Sequence, residues 1–134
     1  VARAFSALFC GLRRGALMPF PSYYLTVSLN ERPRASLRAG MAALRITRAP
    51  NVYEPEDNIA SLLEMMAGMI RGRFGAPVPL QKQKDFFFTH IAAWVEHFFS
   101  DLEAAQNSVF YAPVGTVGKA FLEIETQAFR MGAD

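Results

Sequence analysis

Asn51-Val52-Tyr53-Glu54-Pro55-Glu56-Asp57-Asn58-Ile59 sets three carboxylates around a proline, directly ahead of an apolar pattern of helical period. In that pattern Ile59, Leu62, Leu63, Met66, Met69 and Ile70 form one wide apolar face, the spacing of an amphipathic helix. A first helical turn tolerates proline because the N–H it lacks would be unpaired there. The helix dipole favours acidic groups at the same end. The stretch therefore reads as a helix start in which Pro55 and its acidic neighbours take part. It reads equally as an acidic loop that receives a cationic ligand. Arg71-Gly72-Arg73 closes the helix, with cations and a glycine where a C-terminus suits them.

The helical period continues on both sides. Residues 1–10 read as a helix with Phe5, Leu8 and Phe9 inward, followed by a loop over 11–22 and a short piece from Tyr23 to Leu29 that is helical or extended. Asn30 is placed to cap the next helix, with Pro33 in its first turn and Leu37, Met41 and Leu44 on one face. Arg34, Arg38 and Arg45 flank that face and read as a solvated edge. Past Pro77 and Pro79 a long helix is expected from about Gln81 to Phe99, with Phe87, Ile91, Trp94 and Phe98 as its core face. Ser100-Asp101-Leu102-Glu103 has capping-box spacing and is expected to start a short helical turn. Ser108 or a neighbour caps a last helix, on which Phe110, Val114, Val117, Phe121, Ile124 and Ala128 repeat as a core face, and Gly132 suits its end. No run alternates apolar and polar residues over a strand's length. The expected fold is a compact all-α helical bundle, one domain over residues 1–134.

At 134 residues and 51% apolar, with 12 phenylalanines, the chain is long and apolar enough for a core. A net charge of +2 gives no argument for nucleic acid as a partner. The single cysteine, Cys10, excludes an internal disulfide framework, fits a reducing compartment and reads as a core residue of an apolar helix face. The longest uncharged stretch, Gly15 to Asn30, holds Pro19 and Pro21 and falls short of a membrane span. The start at Val1, inside a helical pattern, reads as a portion of a longer chain.

Catalytic and metal chemistry find little support. One Cys and two His make no zinc cluster. His90 and His97 lack the Glu-x-x-His pairs of di-iron bundles, and no Gly-rich phosphate loop follows a strand. No cofactor is expected. Glu54 and Asp57 would be the acid–base pair of an enzyme, but no further group joins them. Binding chemistry fits better. Carboxylates on a loop suit arginine, whose guanidinium bridges them bidentately. Met65, Met66 and Met69 follow on the helix, and methionine recurs both on adaptable apolar surfaces and in core gaps. Pro19-Phe20-Pro21-Ser22-Tyr23-Tyr24 adds aromatics on a constrained loop. Together they describe a site for a peptide that carries arginines beside an apolar segment.

The Glu54-Pro55-Glu56-Asp57-Asn58 run resembles the Glu-Pro-x-Asp-His signature of the TorD/DmsD/NarJ-type molybdoenzyme chaperones. Gln83 to Trp94 with Phe98-Phe99-Ser100-Asp101-Leu102, the Pro19 to Tyr24 loop, and Phe110-Tyr111 with Phe121 to Glu125 resemble three further motifs of that family, in the same order. The resemblance implies a cytoplasmic, non-catalytic, all-helical chaperone without a cofactor. Its partners would be the twin-arginine leader and the body of a molybdenum-cofactor enzyme, held back from export until its cofactor is inserted. The Ile59 to Met66 stretch and the Phe121-Leu122-Glu123-Ile124-Glu125 ending are most similar to members that serve formate dehydrogenases. Carried over by position, Glu54, Pro55, Asp57 and Asn58 contribute to leader recognition, and Pro19, Phe20 and Tyr24 line the same groove. Asn58 departs from the family histidine and cannot become cationic near neutral pH. The family's early helices are missing ahead of Val1, which implies apolar faces covered by a second chain, as in a swapped homodimer. The alternative is a helical regulatory module that binds an unrelated protein.

Overall fold

A computed structural model describes residues 2–10, 17–25, 32–105 and 109–132. Among these residues the structure is all-α, without strands, as the periodicity predicts. In chain order the helices are α1 (Ala2–Phe9), α2 (Pro21–Leu25), α3 (Arg32–Ala43), α4 (Ile59–Arg71), α5 (Leu80–Phe87), a π-helical turn (Phe88–Ala92), α6 (Val95–Glu103) and α7 (Tyr111–Met131). None is long and apolar enough to cross a membrane. The chain divides into two units, Phe20–Ala93 and a second made of Val1–Pro19 with Trp94–Asp134. The expected caps Asn30 and Ser108 and the glycines Gly11 and Gly15 lie outside the described residues.

In the Phe20–Ala93 unit, α4 packs against α5 and the π-turn, and α2 against α3. Leu37 and Met41 of α3, Leu62, Met66 and Met69 of α4, and Phe86, Phe87 and Ile91 form the buried core. Met65 is buried as well, so all three α4 methionines point inward, whereas Ile70, at the helix end, is 54% exposed. α3 and α4 end in the same way. Ile46 N–H reaches back to Met41 O at 2.9 Å and Arg73 N–H to Gly68 O at 2.9 Å, the six-to-one bond of a Schellman motif. The left-handed residue each motif requires is Arg45 (φ 58°) after α3 and Gly72 (φ 74°) after α4. Glycine is needed at 72 for a second reason, since a Cβ there would lie 2.8 Å from Pro77 Cδ.

The long helix expected over 81–99 is interrupted. A π-turn spans Phe88–Ala92, Trp94 leaves helical geometry (φ −142°), and His97 and Phe98 N–H both bond Trp94 O as α6 begins. Phe87, Ile91, Trp94 and Phe98 are nevertheless all buried, as expected. Ser100 to Glu103 form the last turn of α6 instead of starting a new helix.

In the other unit α6 packs along α7, and the side of α7 that turns inward is not the expected one. Gly115, Gly118, Leu122 and Phe129 are buried, while Phe110, Val114, Val117, Phe121, Ile124 and Ala128 are exposed. The cause is close approach. A Cβ at 115 would lie 2.5 Å from Glu103 N and 2.7 Å from Phe99 O, and one at 118 would lie 2.5 Å from the Phe99 ring. The two glycines let α6 lie directly on the α7 backbone, which turns the apolar stripe outward. Lys119 pairs with Glu103 at 3.1 Å across the same contact. In α1, Leu8 is buried but Phe5 is exposed, and Cys10 lies exposed just past the helix instead of in a core.

Candidate functional site

The acidic turn ahead of α4 is occupied by arginines of its own chain. Arg34 and Arg38, one helical turn apart on α3 and therefore on one face, reach it together. Arg34 Nε lies 3.4 Å from Asp57 Oδ1, and Arg38 Nε donates to Glu56 Oε1. Arg48, from the extended segment after α3, lies 3.8 Å from Glu56 Oε2 and donates from Nη2 to the Glu54 carbonyl at 2.5 Å. The reading of Arg34 and Arg38 as a solvated edge is thereby corrected. Asp57 is 1% exposed and Glu56 7%, and buried carboxylates require opposite charge nearby. Burial pushes the Glu56 carboxyl up, but the Arg38 hydrogen bond and the charges of Arg38 and Arg48 outweigh it and hold its pKa below the usual value.

The proline is not inside the helix. α4 starts at Ile59 with no acidic residue in its first turn, and its N-cap is Asn58, whose Oδ1 accepts from Ala60 N–H at 2.9 Å. Pro55 is half-buried in the preceding turn, where its carbonyl accepts from Asn58 N–H at 3.2 Å. Capping by asparagine satisfies one of the orphan donors of the first turn, a role that needs no positive charge at position 58.

Glu54 is different from its neighbours. Its side chain is exposed and pairs with no described residue. It lines an open groove of about 390 Å³. Its apolar lining includes Met41, Ile46, Val52, Met65 and Phe74, and Arg48, Glu56, Glu64 and Arg73 line it as well. The apolar floor is a product of chain folding. Ile46 is fixed by the Schellman bond to Met41, and Phe74 lies over Gly68, where a Cβ would meet its ring at 2.6 Å. The arrangement can hold an apolar side chain or short apolar segment with a cation alongside. Of the lining residues the sequence singled out Glu54, Glu56, Met41 and Met65; Ile46, Val52 and Phe74 are scattered in sequence and carried no signal.

The aromatic loop is elsewhere. Phe20 and Tyr24 are half-buried at α2, Tyr24 edge-on to Tyr23 with ring centres 5.0 Å apart, and neither lines the groove beside Glu54. Pro19 is half-buried and belongs to the other unit. A separate cavity of about 100 Å³ lies between Pro21, Pro33, Leu37, Leu62 and His90. His90 is half-buried against Phe86, and burial pushes its pKa down; His97 is exposed. Among the described residues no group of three or more His, Cys, Asp or Glu is placed to hold a metal.

Residues 1–100 match the family model described as nitrate reductase delta subunit. The chain also matches relatives that bear the name chaperone protein TorD. The one from Vibrio cholerae serotype O1 (strain ATCC 39541) is 25% identical over 130 residues, covering 92% of this chain and 59% of the relative. The one from Vibrio atlanticus (strain LGP32) is 29% identical over 135 residues, covering 91% of this chain and 62% of the relative. The chain thus spans less than two thirds of the length of these relatives. No solved structure matches it.

Proposed function

Because this chain belongs to the nitrate reductase delta subunit family, we propose that it is a non-catalytic maturation chaperone for a molybdenum-cofactor oxidoreductase, and that it binds the twin-arginine leader of that client. In this reading it acts in the cytoplasm, delays export until the cofactor is in place, and uses no cofactor of its own. Formate dehydrogenase is the client class favoured by the Ile59 to Met66 stretch and the Phe121 to Glu125 ending.

The observation that carries the reading is an exposed carboxylate, Glu54, which makes no side-chain ion pair among the described residues and lines a largely apolar groove. A leader offers the complementary pair, arginines followed by an apolar run. Glu54 receives a guanidinium and the groove receives apolar side chains. Glu56 and Asp57, already paired with Arg38 and Arg34, act indirectly by fixing the turn that presents Glu54. Asn58 and Pro55 act in the same way, through the cap and the turn. Phe20, Tyr24 and Pro19 would contact a more distant part of the leader or the client body.

The test is a titration of a leader peptide into the protein at low and high salt. Affinity is expected to fall as salt rises, because the exposed pair is screened, and to drop when alanines replace the two arginines. Equal affinity for the arginine-free peptide would remove the proposed recognition.

A further inference from the structure

We infer that the groove beside Glu54 fixes the direction of the bound leader: it lies parallel to α4, its arginines at the start of that helix and its apolar run reaching Phe74. The direction rests on the proposed leader binding and adds to it an orientation and a specificity-determining residue at the far end. Three carboxylates line the groove, Glu54, Glu56 and Glu64. Glu56 is held by Arg38 and Arg48, and Glu64 Oε2 accepts from Arg73 Nη1 at 3.5 Å. Glu54 makes no side-chain ion pair among the described residues. An added guanidinium therefore finds its open carboxylate at Glu54.

Glu54 marks the end of the groove at the start of α4. One guanidinium, that of Arg48, donates to the Glu54 carbonyl and lies 3.8 Å from Glu56 Oε2, and Glu56 stands two residues ahead of the N-cap Asn58. From there the groove follows the helix. Ala60, Ser61, Glu64 and Met65 line it, and at about 3.6 residues per turn they share one side of α4 with Gly68. Phe74 covers Gly68, where a Cβ would meet its ring at 2.6 Å, and lines the groove as well. Ala60 and Gly68 are roughly 12 Å apart along the axis. A leader carries its arginines ahead of its apolar run. With a guanidinium on Glu54, the run advances along α4 from Ala60 to Phe74. The reverse direction sets the arginines beside Glu64, which Arg73 already meets, and covers the Glu54 carboxylate with apolar side chains, a cost without a compensating partner.

Disulfide trapping tests the direction. The chain carries C10S with either A60C or R73C, both positions being exposed. The probes are synthetic peptides of two arginines and an apolar run, with one cysteine either ahead of the arginines or after the run. Runs of four and of eight residues are used, since about 12 Å is four residues extended or eight helical. The leading cysteine is expected to couple to A60C about tenfold faster than to R73C, as effective concentration dictates. The trailing cysteine of one run length is expected to show the opposite preference. Reversed preferences, or none, overturn the direction. Peptides with alanine for both arginines separate this failure from that of leader binding itself. Trapping that needs the arginines but runs the wrong way overturns the direction alone; trapping indifferent to them, or absent throughout, overturns both. Phe74→Ala decides without any introduced cysteine. It is expected to weaken the peptide with its apolar run about tenfold and to leave a bare arginine pair unaffected; equal loss for the two overturns the role of Phe74.

Discussion

Helices α4 and α7 carry apolar stripes of similar spacing, and they face opposite ways. Leu62, Met66 and Met69 of α4 are buried, against α5 and the π-turn. On α7 the stripe is turned outward, and the helix is held by Gly115, Gly118, Leu122 and Phe129 on its other side. One side of α7 accepts α6 by close backbone approach, and the apolar stripe on its other side is exposed among the described residues. An apolar period establishes that a helix has a sticky side. Which side meets the core first is decided by how near the neighbouring backbone can come, and that depends on residues too small to register in a hydropathy pattern.

The contrast can be broken or sharpened by substitution. Leu62→Ala empties a fully buried position of α4 and is expected to cost about 3 kcal/mol in chemical denaturation, in the range of large-to-small core changes. Gly115→Ala forces a methyl group against Glu103 N and Phe99 O and is expected to cost about 2 kcal/mol, the scale of overpacking; a cost near zero would mean that α6 and α7 are not in close contact. Asn58→Ala removes the α4 cap and is expected to cost about 1 kcal/mol. Ile70→Ser, on the α4 stripe but 54% exposed, is expected to change stability by less than about 0.5 kcal/mol, marking where that stripe stops being core.

A pH series probes the Phe20–Ala93 unit alone, in which His90 and Glu56 both lie. Burial lowers the His90 pKa from 6.5. The folded state then binds its proton less readily than the unfolded chain, so stability is expected to decline as pH falls through 6.5 and to level off below the lowered folded value. His90→Gln is expected to flatten the melting temperature over that window. Glu56 acts in the same direction, in a lower pH window. Its folded pKa lies below 4.5, so its contribution is present above 4.5 and is lost as pH falls through the lowered folded value.

Much of the fold was legible in the sequence. The all-α class, the core faces of α3 and α4, the four buried residues from Phe87 to Phe98 and the Gly72 cap all follow from local period and helix-end chemistry. The interruption at Phe88–Ala92 did not, because a π-turn leaves the apolar spacing nearly intact. The inward side of α7 did not, because Gly115 and Gly118 carry no hydropathy. For the candidate site, the sequence located the acidic turn, but it assigned the arginines that meet it to a ligand and read Arg34 and Arg38 as a solvated edge. It could not show that Arg34, Arg38 and Arg48 of the same chain take two of the three carboxylates. Those pairs join α3 and the segment after it to a turn well removed in sequence, Arg38 and Glu56 being 18 residues apart. The apolar groove is illegible for the same reason: its lining runs from Met41 through Ile46 and Val52 to Met65 and Phe74.

The division of labour within the acidic turn, Glu54 for the ligand and Glu56 with Asp57 for the fold, is the central claim. Calorimetric titration of a twin-arginine leader peptide into Glu54→Lys, alongside its thermal melt, tests it most directly. The expected result is affinity weaker by about fivefold to tenfold, the scale of one exposed ion pair turned into a repulsion, with an unchanged melting temperature. Full affinity in that variant, or a melting temperature that falls with it, would contradict the claim.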